Sequence, residues 1–299
     1  MTPETTTASK TSRSGPIYIL TAALLWSTAG LLIKYIPWHP LAIASLRSLI
    51  AATVFVAAFG RSLFKRPNHL TIISGVALVM TQTLFVVANK LTTATNAIML
   101  QYTSPAFIMI LGMLFYHYRP KRREVIAMIW AFAGIALFFF GKLTPGNLIG
   151  NAMAVFTGLT FAVVFILNGR PECQASLALF IGQIGTFFVG LPMVFLLDPA
   201  DIKLMPVLSI VVLGLFQLGL SYFLFNRGIV RTAPLNASLL AMVEPLMSPV
   251  WVFLFLREVP TVVALIGAAV VISAMLYLNL GAKSGAKPDA GNNHSANRT

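Results

Sequence analysis

A succession of apolar stretches, each about the length needed to cross a bilayer, leaves this chain few ways to fold. A spanning helix needs roughly 20 apolar residues, and such stretches fall at about 17–34, 40–60, 69–89, 93–116, 123–141, 147–168, 174–197, 204–225, 233–256 and 261–280. Short turns carrying Pro, Gly or charge separate them. Of 299 residues, 58% are apolar and only 10% charged, whereas about a quarter of a soluble domain is charged. The expected fold class is therefore all-α integral membrane, with ten transmembrane helices. Residues 1–14 form a Thr/Ser-rich tail and residues 282–299 a small, polar one, and both are expected to be disordered.

The formal charge of +13, from 21 Lys and Arg against 8 Asp and Glu, must be read by position. In a soluble protein it would suggest nucleic acid; in a membrane protein basic loops report orientation. With the N-terminus in the cytoplasm, fifteen basic residues fall on that side, with Arg119, Lys121, Arg122 and Arg123 crowded near one short turn. Only Lys34, Lys90, Lys142, Lys203 and Arg257 fall opposite, and Arg47 lies within the second span. Both termini are therefore expected in the cytoplasm. The first stretch follows a basic segment, as a secretory signal would, but it is followed by nine more spans and is expected to be a retained helix. The single cysteine, Cys173, excludes an internal disulfide and a thiolate zinc cluster.

An internal repeat decides the architecture. The fourth span begins NAIMLQYTSPAF at Asn96 and the ninth NASLLAMVEPLM at Asn236, and at this constant offset Asn96, Ala97, Pro105, Phe115 and Pro120 match Asn236, Ala237, Pro245, Phe255 and Pro260. The first and sixth spans align more loosely, placing Trp26 opposite Phe161. Five spans plus five predicts a first repeat at 15–145 and a second at 146–281. An odd number of spans per half inverts the second against the first, and inverted repeats commonly frame a midplane site opened alternately to either side.

These residues resemble the EamA-type, ten-span branch of the drug/metabolite transporter superfamily over about residues 16–281. The stretch Asn226–Thr261 is similar to that family's ninth span, with its Glu-Pro pair at Glu244-Pro245 and an acidic residue at Glu258; ASLRSLIAA around Arg47 and RREVIAMIWAFAGIALFF from Arg122 fit the first half. Tyr118 stands where the fourth span's closing acidic residue is expected. The aromatics along the first, fourth and sixth spans look like those of bacterial inner-membrane exporters of aromatic and other neutral amino acids. The resemblance thus implies secondary export of such amino acids across the inner membrane by alternating access.

Each candidate residue has a functional and a plainer reading. Glu244 is the one carboxylate placed well inside a span, where a charge costs at least roughly 2.5–3.5 kcal/mol; it serves as proton carrier or ammonium partner, or else as a hydrogen-bonded kink residue beside Pro245. Pro105, Pro245 and Pro249 kink the fourth and ninth spans, as gates or as fixed bends. Ser238, Ala241, Glu244 and Ser248 share one helix face, with Gln101 and Ser104 as repeat partners of its two central positions; such a stripe lines a wet cavity or packs closely on a neighbour. Trp26, Tyr102, Phe161 and Tyr222 lie mid-span, away from the interfacial belts where Trp and Tyr usually collect, and suit either substrate contact or packing. Gln82 and Gln183 are mid-span amides that need partners, in a cavity wall or in an interhelical bond. Arg47 either holds a substrate carboxylate or, the reading favoured at this level, sits in a structural ion pair or caps a backbone carbonyl.

The chain carries no nucleophile elbow, phosphate-binding loop or Ser/His/Asp constellation, and His39, His69, His117 and His294 lack metal-ligand spacing. No enzyme activity, cofactor, metal, nucleic acid or required protein partner is expected, only a small substrate and the bilayer. Without an ATP-hydrolysing motif, transport runs downhill or on an ion gradient. An exporter of a purine, sugar derivative or drug-like cation in the same fold is the alternative. A net acidic cavity, with Glu244 ionised, would favour the cation; proton coupling through Glu244 is a further alternative.

Overall fold

The computed structural model of the chain describes residues 14–33, 36–92, 94–138, 140, 147–256 and 261–284. Among them every regular element is helical. In order these are α1 (Ser14–Trp26), α2 (Ala29–Ile33), α3 (Pro40–Phe59), α4 (His69–Leu91), α5 (Ala94–Gln101), α6 (Ser104–Tyr116), α7 (Arg122–Phe138), α8 (Leu148–Asn168), α9 (Ala175–Val194), α10 (Leu204–Val212), a π-helical segment (Leu213–Leu220), α11 (Ser221–Ile229), α12 (Pro234–Ala241), α13 (Val243–Leu256) and α14 (Val262–Ser284). Six continuous helical runs are long and apolar enough to cross a membrane: Pro40–Phe64, His69–Asn89, Asn96–Tyr116, Leu148–Asn168, Ala175–Val194 and Leu204–Ile229. Two shorter apolar helices, Ser14–Trp26 and Val262–Leu278, join them.

Helix starts follow the local chemistry. Asn68 accepts the Thr71 N–H at 2.9 Å and so caps α4, and Asn147 accepts from Ile149 and Gly150 at the head of α8. Pro40 opens α3 at a position where no N–H is needed. Gly60 ends α3 at φ +49°, a conformation that glycine adopts without steric cost. After α6, the backbone turns at His117, and the Tyr118 hydroxyl donates to Glu124 Oε2 at 2.5 Å. The expected acidic residue at 118 is thus replaced by a phenol that binds the acid opening α7. Burial and that bond hold the Tyr118 hydroxyl's pKa well above its ordinary value.

Polar side chains are buried among the apolar core, and large apolar side chains face outward. Ser45, Ser48, Ser74, Thr81, Gln82, Thr157, Thr160, Asn168, Gln183 and Gln217 are buried, while Ile17, Leu114, Phe115, Phe140, Leu148 and Phe195 are exposed. Hydrogen bonds between helices use these groups: Ser48 Oγ to Gln82 Oε1 at 3.1 Å, Thr81 Oγ1 to Thr160 Oγ1 at 2.8 Å, Asn168 Nδ2 to Ser74 Oγ at 2.7 Å, and Ser45 Oγ to the Phe187 carbonyl at 2.8 Å. In lipid such polar links and small residues bring helices together. α4 packs on α8 and α9, α3 on α9 and the π segment, and α1 on α11, while α7 and α14 pair with each other at the side.

Among the described residues the first, fourth and ninth spans are each broken by a turn. Of the three prolines expected to kink these spans, Pro105 and Pro245 follow turns at Tyr102–Thr103 and at Met242, whereas α13 runs on as helix through Pro249 without a break. The break at Ser27–Thr28 was not expected, because no proline marks it; there the Ser27 and Thr28 hydroxyls donate to the carbonyls of Leu24 and Leu25 at 2.6 and 2.7 Å, competing with the helix ladder. The eighth span, expected to end at 225, continues to Ile229 through the π segment. Glu258 and most of the two tails lie outside the described residues.

Candidate functional site

The breaks converge on one cavity of about 520 Å³, within the usual range for small-molecule sites. Its wall takes Trp26 from the end of α1, Arg47 from α3, Gln82 from α4, Gln101 from the end of α5, Phe161 from α8, Gln217 and Tyr222 from the π segment and α11, and Glu244 and Pro245 from α13. It reaches the face of the molecule that carries Pro37, Trp38 and Asn89. Towards the other face, Ile19, Phe165, Phe225, Ile229 and Leu239 fill the bundle. Trp26 forms the floor, with ring centroids 5.1 Å from Tyr222, 5.6 Å from Phe225 and 6.0 Å from Phe161.

The turn before Pro245 explains how a carboxylate is held here. Proline has no N–H for the carbonyl four residues earlier, which leaves the Ala241 oxygen without its helical partner. The Tyr102 hydroxyl, projecting from the break between α5 and α6, lies 3.2 Å from that oxygen and 2.7 Å from Glu244 Oε2. One phenol therefore serves the orphan carbonyl and the half-buried acid together. Nearby, Ser104 Oγ and Ser238 Oγ are 3.1 Å apart, so the broken helices from the fourth and ninth spans touch at matched positions. Gly158 of α8 gives room for this: a Cβ there would lie 2.6 Å from Thr103 Oγ1.

Arg47 has a different environment from the favoured expectation. Among the described residues the one ion pair is Arg170–Glu172, in a turn, and Arg47 meets no carboxylate. Its Nη1 reaches Gln217 Oε1 at 3.5 Å, and its Nε has no hydrogen-bond partner. Trp26 Nε1, Gln82 Nε2 and Gln101 Oε1, also on the wall, are buried without protein partners. Buried polar groups are rarely left unmatched, so four such atoms around one cavity mark a place for a polar guest. Tyr222 lines the same wall as Arg47 and Glu244.

Of the residues singled out in the sequence, Trp26, Gln82, Gln101, Phe161, Tyr222, Glu244 and Pro245 thus line one space. Tyr102 acts behind the wall through Glu244, while Ser104 and the buried Pro105 lie at the helix crossing. Gln183 sits fully buried in α9, which packs on α3 and α4, away from the cavity wall. The backbone of α13 runs through Ser248 and Pro249, whose side chains lie outside the described residues. Gln217, Thr81, Asn89 and Trp38 join the wall unannounced. Gln217 carried a signal, an amide amid an apolar span; Trp38 and Asn89, the latter near the end of α4, line the side where the cavity opens.

A polytopic helical bundle with a ligand-sized, partly polar cavity between broken helices is the form of a membrane transporter. The EamA-like transporter family matches residues 13–140 and again 146–280, and the chain belongs to that family. An uncharacterized transporter of Archaeoglobus fulgidus is 24% identical over 269 residues, 88% of this chain and 96% of the relative. Protein PecM of Dickeya dadantii is 26% identical over 184 residues, 58% of this chain and 61% of PecM. A crystal structure of another protein, 20% identical, superimposes with a TM-score of 0.78 over 92% of this chain and all of that one, so the fold is shared.

Proposed function

We propose that this transporter carries neutral amino acids, aromatic ones preferred, outward across a bacterial inner membrane by facilitated alternating access. The observation that carries this reading is the balance of charge on the cavity wall: among the described residues it bears one guanidinium, Arg47, and one carboxylate, Glu244, beside the rings of Trp26, Phe161 and Tyr222. A zwitterion with an aromatic side chain meets complementary groups at every point of such a space. A drug-like cation would face Arg47, and an uncharged purine or sugar derivative would leave both charges unmatched.

The transmembrane arrangement in this reading has ten spans: α1–α2, α3, α4, α5–α6, α7, α8, α9, α10 through α11, α12–α13 and α14. Two inverted halves, 15–145 and 146–281, place both termini in the cytoplasm, and the excess of basic residues on that side supports the orientation. The cavity then faces outward. Movement of the fourth and ninth spans about their matched breaks would close it outside and open it inside. Uptake of radiolabelled phenylalanine into liposomes containing the purified protein tests the reading. Saturable uptake competed by unlabelled threonine and methionine supports it, and uptake no greater than into empty liposomes from folded protein refutes it.

A further inference from the structure

The notable feature of Arg47 is what it lacks. It is 5% exposed, deep between α3 and the π segment, and a buried cation without a counter-charge is costly. The protein offers it one long contact, to Gln217, and leaves Nε unused. Guanidinium has five donors in a planar fork matched to carboxylate geometry.

The fold also spends local regularity to create this neighbourhood. The π segment Leu213–Leu220 wraps α3 so closely that a Cβ on Gly214 would lie 2.5 Å from Ile50 Cβ and 3.0 Å from the Arg47 carbonyl. π-helical turns are rare and occur frequently at functional sites; this one brings Gln217 to the cavity wall beside Arg47. Opposite in charge, Glu244 is held by Tyr102 in the break between α12 and α13.

We infer that Arg47 is the carboxylate subsite of the transporter, with Gln217 positioning its guanidinium. The inference rests on the amino-acid reading above and fixes the substrate's polarity in the cavity. The carboxylate lies on the α3 and π-segment side, and the ammonium lies against Glu244. The side chain lies over Trp26 and Phe161. A substrate without an anionic group leaves Arg47 buried and unmatched, so loss of the carboxylate weakens binding.

Isothermal titration of the full-length protein in detergent, with phenylalanine and with phenethylamine, which lacks only the carboxylate, tests this without altering the protein. Wild type is expected to bind phenylalanine at least tenfold more tightly, since a hydrogen bond to a charged partner is worth roughly 10- to 100-fold. Arg47→Gln is expected to weaken phenylalanine tenfold or more and bring the two ligands near parity. Its retained phenethylamine binding would show that the variant is folded. Arg47→Lys keeps the charge without the fork and falls between. Gln217→Ala narrows the ratio of the two affinities, which a merely structural role would not do. Equal binding of the two ligands by wild type, or an unchanged ratio in Arg47→Gln, overturns the subsite while leaving amino-acid binding in place. No binding of phenylalanine or any other neutral amino acid by wild type overturns the amino-acid reading and the subsite with it.

Discussion

Tyr102 shows how much one side chain can settle inside a membrane. Its hydroxyl is shared between the Ala241 carbonyl, orphaned by Pro245, and Glu244. Tyr102→Phe keeps the ring and removes both contacts, leaving the buried Ala241 carbonyl unmatched at a cost of about 1–3 kcal/mol and the half-buried Glu244 without its phenol donor. The variant is therefore expected to unfold at lower temperature in detergent and to transport more slowly, with the wild-type helical circular-dichroism spectrum. An unchanged melting temperature would remove the phenol from this role. Residue identity made Glu244, Trp26, Phe161 and Tyr222 legible as candidates, because charge and aromatic rings at mid-span are costly or unusual. Arg47 was harder to read. A buried arginine in a sequence looks like half of an ion pair, and the absence of a partner is a property of three-dimensional arrangement.

At the scale of elements, the bends matter more than the helices. Apolar length located α3, α4, α8 and α9 closely, because lipid requires a continuous ladder of backbone hydrogen bonds over a fixed thickness. Proline located the breaks after α5 and α12, since a missing N–H is a local covalent fact. The break after Trp26 and the π segment have no such marker; hydroxyl groups bonding back to the chain cause the first, and close packing of Gly214 and Gly219 on α3 accompanies the second. The turn between α5 and α6 rests on Gly158, with no space for a larger residue. Gly158→Val should force that turn outward, destabilise the protein by about 1–3 kcal/mol and reduce transport. A thermal melt and an uptake assay equal to wild type would show that the turn does not depend on this contact.

The whole molecule presents a cavity that reaches the face of Trp38 and Asn89 and is filled by apolar side chains towards the other. Trp38 Nε1 donates to the Asp201 carbonyl at 3.0 Å, tying together two turns on the open face. In the orientation proposed from the excess of basic residues, that face would lie outside the cytoplasm. On a Cys173→Ser background, a cysteine at Asn89 is expected to react with a membrane-impermeant maleimide added to intact cells, and to be protected by phenylalanine. A cysteine at the exposed Arg66 should react only after permeabilisation. The opposite labelling pattern would invert the topology.

The central claim is that this cavity carries neutral amino acids down their own gradient. Its most direct test is the initial rate of radiolabelled phenylalanine uptake into proteoliposomes, with and without an imposed pH gradient, for wild type and Glu244→Gln. Saturable uptake by wild type at a rate independent of the pH gradient, with phenylalanine affinity weakened in the variant, is the predicted result. Uptake that is accelerated by the gradient in wild type and loses that response in the variant would make Glu244 a proton carrier and contradict the facilitated mechanism. No uptake above empty liposomes would contradict the substrate itself.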